Sequence, residues 1–235
     1  MKIAILVSGF PPKRLGGTEI ATYNIARHLA KRGQEVHIIT SWDKGLPRES
    51  IDDGFYIHRG RVIEKPFLGF TSYFINAFRA IRRLNPDLVH AQSISLALYA
   101  LLIKKILKKP YLAWGRGADI YLPSRFYRRF YRFTLMNAGA VIAQTSDEKG
   151  VMQKTCDRDI VVIPNGIDLG RFNNLSREEI RSRLQIKEDE KVILFVGTLR
   201  PVKGVKYLIQ AMNVIGQKGL KTRLMLVGGE KKGEI

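Results

Sequence analysis

A chain of 235 residues, 45% of them hydrophobic, can fill one domain and part of another, which excludes a disordered polymer. Its single cysteine, Cys156, excludes an internal disulfide and a cysteine-clustered metal site, and fits a reducing, cytoplasmic setting. A net charge of +19 favours an anionic partner, whether nucleotide, phospholipid surface or nucleic acid, although the same lysines and arginines also serve solubility.

The opening run Lys2-Ile3-Ala4-Ile5-Leu6-Val7 is too short for the apolar core of a signal peptide, and polar chemistry follows from Ser8, so it reads as a first buried strand. Further strands are expected over 35–40, 55–59, 87–91, 111–114, 140–143 and 160–163. They alternate with helix-length segments, the pattern of βαβ units and of a Rossmann-like parallel sheet with helices on both faces. The longest other apolar run, 94–103, is about half of the roughly 20 residues that cross a bilayer, so no transmembrane helix is expected.

Over 71–84, Phe74, Ala77, Phe78, Ile81 and Leu84 fall at helical spacing while Arg79, Arg82 and Arg83 take other faces. The segment 96–107 is apolar all round until Lys104, which predicts a largely buried crossover helix ending in lysines suited to its C-terminal dipole. A third helix, 124–136, sets Arg125, Arg128, Arg129 and Arg132 opposite Phe126, Phe130 and Phe133. It reads either as a surface helix packed by its aromatics or as a contact for anionic lipid headgroups or a substrate phosphate. Because the aromatics oppose the arginines rather than interleave with them, no specific nucleic acid is expected as a partner.

Pro164-Asn165-Gly166-Ile167-Asp168 then punctuates the pattern, and a polar helix follows over 176–184 with Glu178 and Glu179 in its first turn. The pattern restarts with a strand at 192–196, a helix at 205–215 and a strand at 223–227. The expected organisation is therefore a first domain over 1–166, a linker and connecting helix over 167–190, and the first part of a second domain over 191–235.

Three loops lie where an open α/β sheet takes ligands, at the carboxyl ends of strands. The first strand leads through Gly16 and Gly17 into a helix near Thr18, where bare glycines and free amides suit a phosphate or serve only as turn formers. The fifth leads into Gly115-Arg116-Gly117-Ala118-Asp119, where Arg116 can hydrogen-bond a sugar or phosphate and Asp119 can orient it, or start a tight turn. In the second domain, Gly197-Thr198-Leu199-Arg200-Pro201-Val202-Lys203-Gly204 brings Arg200 and Lys203 to a strand-to-helix junction that suits a diphosphate, with Lys203 the leading residue.

These loops, with Gly16-Gly17-Thr18-Glu19, the linker Ile163 through Asp168 followed by Arg171-Phe172, and Val196-Gly197 through Lys203-Gly204, closely resemble glycosyltransferase family 4, the group 1 glycosyltransferases of the GT-B fold. The resemblance covers essentially the whole chain. It implies an acceptor-binding N-terminal Rossmann-like domain and a C-terminal domain that binds a nucleotide-diphosphate sugar, with transfer that retains the anomeric configuration and needs no cofactor or metal. By the same resemblance, Gly16 and Gly17 approach the donor diphosphate, and Lys203 neutralises it as it leaves.

Two positions depart from the pattern. Many members carry a histidine where Arg116 stands, and an arginine can donate hydrogen bonds but cannot share a proton near neutral pH, which makes Arg116 a binding residue for sugar or acceptor. Many carry an arginine where Thr198 stands, two residues before Arg200. The family's paired glutamates, seven residues apart, would lie beyond Ile235, so the expectation is a hexosyltransferase whose second Rossmann domain is incomplete and which is inactive by itself. An incomplete sheet edge there would favour pairing between copies of the chain. Glycan, lipid and small-molecule acceptors fit equally, and an anionic membrane surface at the inner face of the membrane is a further expected partner. The alternative from another class is a noncatalytic acceptor-binding or membrane-surface module.

Overall fold

Strand β1 (Lys2–Leu6) is apolar on both faces and accordingly lies inside a sheet with elements packed on each side. Ile3, Ile5 and Val7 join one buried cluster, with Phe10, Ala26, Val36, Ile38, Phe55 and Ile57. Ala4 and Leu6, pointing the other way, join a larger one that contains Val89, Ala97, Ile103, Tyr111 and Leu135. Burial of each large aliphatic or aromatic side chain in these clusters is worth roughly 1.5–3 kcal/mol. The computed structural model describes residues 1–121, 125–167, 170 and 175–229.

By its contacts the chain divides into Met1–Ile167 and Asp168–Ile235. In the first unit the remaining strands are β2 (Glu35–Ser41), β3 (Glu49–Asp52), β4 (Phe55–Gly60), β5 (Leu88–Ala91), β6 (Tyr111–Trp114), β7 (Ala140–Ala143) and β8 (Val161–Val162). They form one sheet in the order β3-β4-β2-β1-β5-β6-β7-β8, parallel throughout except for the β3–β4 pair at one edge. Register aligns Leu6 with Ile39 on one side and Ala91 on the other, and Ala91 with Ala113, so the loops that follow these strands open along a single edge. The parallel α/β sheet agrees with the alternation in the sequence.

The helices of this unit are α1 (Gly17–Lys31), α2 (Pro66–Leu84), α3 (Ile94–Leu107), α4 (Arg125–Met136) and α5 (Ser146–Gln153). α2 begins at Pro66 rather than near 71, because proline has no amide to lose in the first turn. α3 starts where Ser93 accepts the Leu96 amide at 3.1 Å. Two elements were not expected: the edge strand β3, whose Glu-Ser-Ile-Asp sequence is too polar to signal a strand, and the two-turn helix α5.

α4 corrects the sequence expectation. Its buried side is Thr134 and Leu135, flanked by half-buried Tyr131 and followed by Ala138, whereas Phe130 and Phe133 are exposed rather than packed inward. Thr134 belongs on the inner side because its carbonyl accepts the Tyr111 hydroxyl. The expected helix start at Ser124 lies outside the described residues. No helix among the described residues is long and apolar enough to cross a membrane.

The second unit contains α6 (Arg177–Arg183), β9 (Lys191–Val196), α7 (Val205–Gln217) and β10 (Thr222–Val227), with β9 and β10 paired in parallel. None of its described residues is buried. The linker positions Asp168, Arg171 and Phe172 lie outside the described residues.

Candidate functional site

Along the carboxyl edge of the first unit's sheet, three segments converge on polar chemistry. After β1, Gly16 caps α1 without any side-chain cap, so the first amides of the helix are left to a ligand or to water. A Cβ added at Gly17 would meet nothing within 4 Å, so the space over that residue is open.

After β5 and β6 the polar groups are buried. His90, on β5, stacks on Trp114 with ring planes 5° apart and centroids at 5.6 Å. Gln92 Nε2 lies 3.1 Å from His90 Nε2, and since an amide nitrogen only donates, that imidazole nitrogen is the acceptor. Burial, helped by the nearby Arg116 charge, pushes the His90 pKa down to about 3 and keeps the ring neutral. Arg116 lies with its guanidinium carbon 4.1 Å above the Trp114 ring, is 6% exposed, and donates from Nη1 to Asn165 Oδ1 at 2.9 Å. Its pKa falls to about 10 through burial, which Glu148 and Asp119 oppose, so it remains a cation at neutral pH.

Asp119 is committed to backbone. Its Oδ2 accepts the Ile94 amide at 2.6 Å, joining the β6 loop to the start of α3, and its Oδ1 accepts the Arg116 amide at 3.0 Å. Glu148, in the first turn of α5, accepts from Gly117 at 3.2 Å and from Gln144 at 2.9 Å, tying the β6 loop to the β7 loop. Gly117 has φ of 56°, a left-handed conformation suited to glycine. The loop that presents Arg116 is thus fixed from two sides, by half-buried Asp119 and buried Glu148. Among the described residues, Gln92 Oε1, Trp114 Nε1, and Nε and Nη2 of Arg116 are buried with no hydrogen-bond partner. No three His, Cys, Asp or Glu side chains among the described residues converge as a metal site.

In the second unit, β9 ends at Gly197, whose carbonyl oxygen would lie 1.8 Å from a Cβ on Gly228, so the loops after β9 and β10 run in close contact. Pro201–Lys203 forms a single 3-10 turn, and Gly204, with φ of 70°, starts α7 without a side-chain cap. Lys203 is exposed on that turn, and Arg200 stands just before it.

The structure therefore brings Arg116 and Asp119 together on one loop, places Gly16 and Gly17 on the same edge of the sheet, and sets Arg200 and Lys203 in the other unit. His90, Gln92, Trp114, Glu148 and Asn165 were not singled out from sequence as site residues. The position of His90-Ala91-Gln92 at the end of the fourth parallel strand in chain order was the available signal.

Comparison with known proteins places this geometry. The family model of Glycosyltransferase Family 4 matches residues 15–171, and that of Glycosyl transferases group 1 matches residues 176–235. An uncharacterized glycosyltransferase of Methanocaldococcus jannaschii is 29% identical over 97% of this chain and 63% of its own length. The D-inositol 3-phosphate glycosyltransferase of Segniliparus rotundus is 33% identical over 91% of this chain and 53% of its own length. The chain thus spans 53–63% of the length of these two curated relatives. Among solved structures, a sucrose-phosphate synthase from Thermosynechococcus elongatus superposes over the whole chain and 64% of its own, with a TM-score of 0.82 at 19% identity. The Anabaena protein Alr3699/HepE, solved in complex with UDP-glucose, covers the whole chain with 62% of its own, with a TM-score of 0.71 at 20% identity. The chain has the GT-B glycosyltransferase fold and belongs to glycosyltransferase family 4.

Proposed function

We propose that the chain is part of a retaining hexosyltransferase that moves a sugar from a nucleotide-diphosphate sugar to a hydroxyl of an acceptor. The observation that carries this reading is the set of unpartnered buried polar atoms on Gln92, Trp114 and Arg116 at the carboxyl ends of β5 and β6. Each such atom costs on the order of 1–3 kcal/mol until a ligand pairs with it. The amide oxygen needs a donor, whereas the indole and guanidinium nitrogens need acceptors. Sugar hydroxyls supply both, while a phosphate only accepts, so the set favours a sugar over a bare anion.

In the transfer step the bond between the anomeric carbon and the diphosphate oxygen breaks, the acceptor oxygen bonds to that carbon on the same face, and the acceptor's proton leaves with the diphosphate. Negative charge grows on the diphosphate, which we assign to Arg200 and Lys203 beside the uncapped start of α7. We assign the proton to the departing diphosphate; Arg116, a cation at neutral pH, only donates. Asp119 acts through Arg116 as a positioning residue, since both of its oxygens hold backbone amides. UDP-glucose bound to the Anabaena protein supports this donor class. Because the chain spans 53–63% of the length of two curated relatives, we infer that the 235-residue chain alone transfers no sugar; turnover of any nucleotide sugar by it would remove that inference.

The two tryptophans make the site testable, because Trp114 stacks in the polar cluster and Trp42 does not. UDP-glucose, GDP-mannose and ADP-glucose are titrated to millimolar concentration while the indole N–H resonances are followed. At least one donor is expected to shift Trp114 and leave Trp42 in place, with Arg116→Gln weakening the response about tenfold or more. A Trp114 resonance indifferent to all three would contradict the assignment.

A further inference from the structure

The outward face of α4 is the wrong composition for a helix that meets only water. Its inner side is set by Leu135 and Thr134, with Tyr131 and Ala138 one turn to either side. At 100° per residue, Arg129, Arg132, Phe133 and Met136 fall on the opposite side, with Phe130 at its margin. Phe130, Phe133 and Met136 are 44%, 49% and 47% exposed, although packing against the sheet does not require apolar residues there. With Arg129 and Arg132 they line a shallow, open depression. α3 extends the patch: Lys105 lies 5.0 Å from the Phe133 ring centroid, and neighbouring Ile106 is 58% exposed.

The charge of the patch has one sign. The α4 sequence Arg125 through Met136 contains no Asp or Glu, and among the described residues no carboxylate pairs with Arg129, Arg132 or Lys105. Aromatic and thioether side chains ringed by cations that no carboxylate neutralises fit the boundary of an anionic bilayer, where the rings enter the headgroup layer and the cations meet phosphate. An acidic protein surface would match the cations but leave three apolar side chains to be covered. The C-terminal half of α4 packs on α3 and Tyr111, which leaves the opposite face turned to solvent.

We propose that the outward face of α4, with Lys105 and Ile106 of α3, docks the protein on an anionic phospholipid surface. This goes beyond the transfer reading and does not depend on it, because none of these residues belongs to the polar cluster of Gln92, Trp114 and Arg116.

The test is flotation of the whole chain with phosphatidylcholine vesicles, with and without about one third phosphatidylglycerol, at low and high salt. The expected result is flotation only with the anionic vesicles, fading as salt rises, as charge attraction requires. The double variant Phe130→Ser, Phe133→Ser and the double variant Arg129→Gln, Arg132→Gln should each lower vesicle affinity about tenfold or more. Arg116→Gln should leave it unchanged. Failure to float, or flotation indifferent to both double variants, would overturn the proposal. So would self-association in sedimentation velocity that the Phe130→Ser, Phe133→Ser variant abolishes, since that would give the face to a second copy of the chain.

Discussion

Asp119 shows how a residue can belong to a site without touching what the site binds. Burial lifts its pKa from an ordinary 3.8 to about 6, against the opposing effect of the amides it accepts. The folded chain therefore binds this proton more tightly than the unfolded chain does. Its contribution to stability is fully present below the unfolded value of about 3.8 and is lost as pH rises through about 6. A rise from 3.8 to about 6 corresponds to roughly 3 kcal/mol. Asp119→Asn removes that titration, so the difference in urea unfolding free energy between wild type and variant should change by up to about 3 kcal/mol between pH 4 and pH 7. A difference that stays constant with pH would show that the folded and unfolded chains hold the proton alike.

The same loop marks the limit of what residues reveal without coordinates. Arg116 and Asp119 were legible because glycines and a strand end flanked them. The sequence could not show that Asp119 is spent on two amides, or that Trp114, His90 and Asn165 from three separate segments close around Arg116. Those contacts depend on strand order, which places β5 beside β6.

At the scale of the element, long periodic segments were the readable ones. α3, apolar nearly all round, is buried as its composition predicts. β3 and α5 escaped notice because each is short and takes its place from tertiary pairing, β3 by antiparallel register with β4 and α5 by burying Glu148 and Met152. α4 misled for a different reason: its phenylalanines outweigh its threonine, tyrosine and leucine in hydrophobicity, yet the inner side is chosen by fit against α3 and Tyr111. This assignment predicts unequal costs. Leu135→Ala should destabilise the protein by about 2–5 kcal/mol, the range for buried leucine truncation, while Phe133→Ser should cost about 1 kcal/mol or less. Urea denaturation of both variants decides the matter, and equal losses would return the aromatics to the core.

Across the whole molecule, the two units differ in how well each is filled. Met1–Ile167 buries two clusters on opposite faces of its sheet. The described residues of the second unit bury none, leaving Leu194 and Val196 exposed on β9 and Tyr207 and Ile209 exposed on α7. Sequence carried the family because its loops and linker recur in a fixed order, and the fold followed from the strand and helix alternation. The donor site was less legible, since Lys203 stands exposed on a single turn with half-buried Arg200 just before it, a setting no local pattern specifies.

The central claim is a nucleotide-sugar transferase whose donor diphosphate is held in part by Lys203. It is tested most directly by calorimetric titration of uridine and guanosine diphosphates into this chain and into the same chain continued to the length of its curated relatives. The account predicts tight binding of one of the two nucleotides by the longer protein, weakened about tenfold or more by Lys203→Gln, and at most weak binding in the millimolar range by this chain. No binding of either nucleotide to either protein would contradict it.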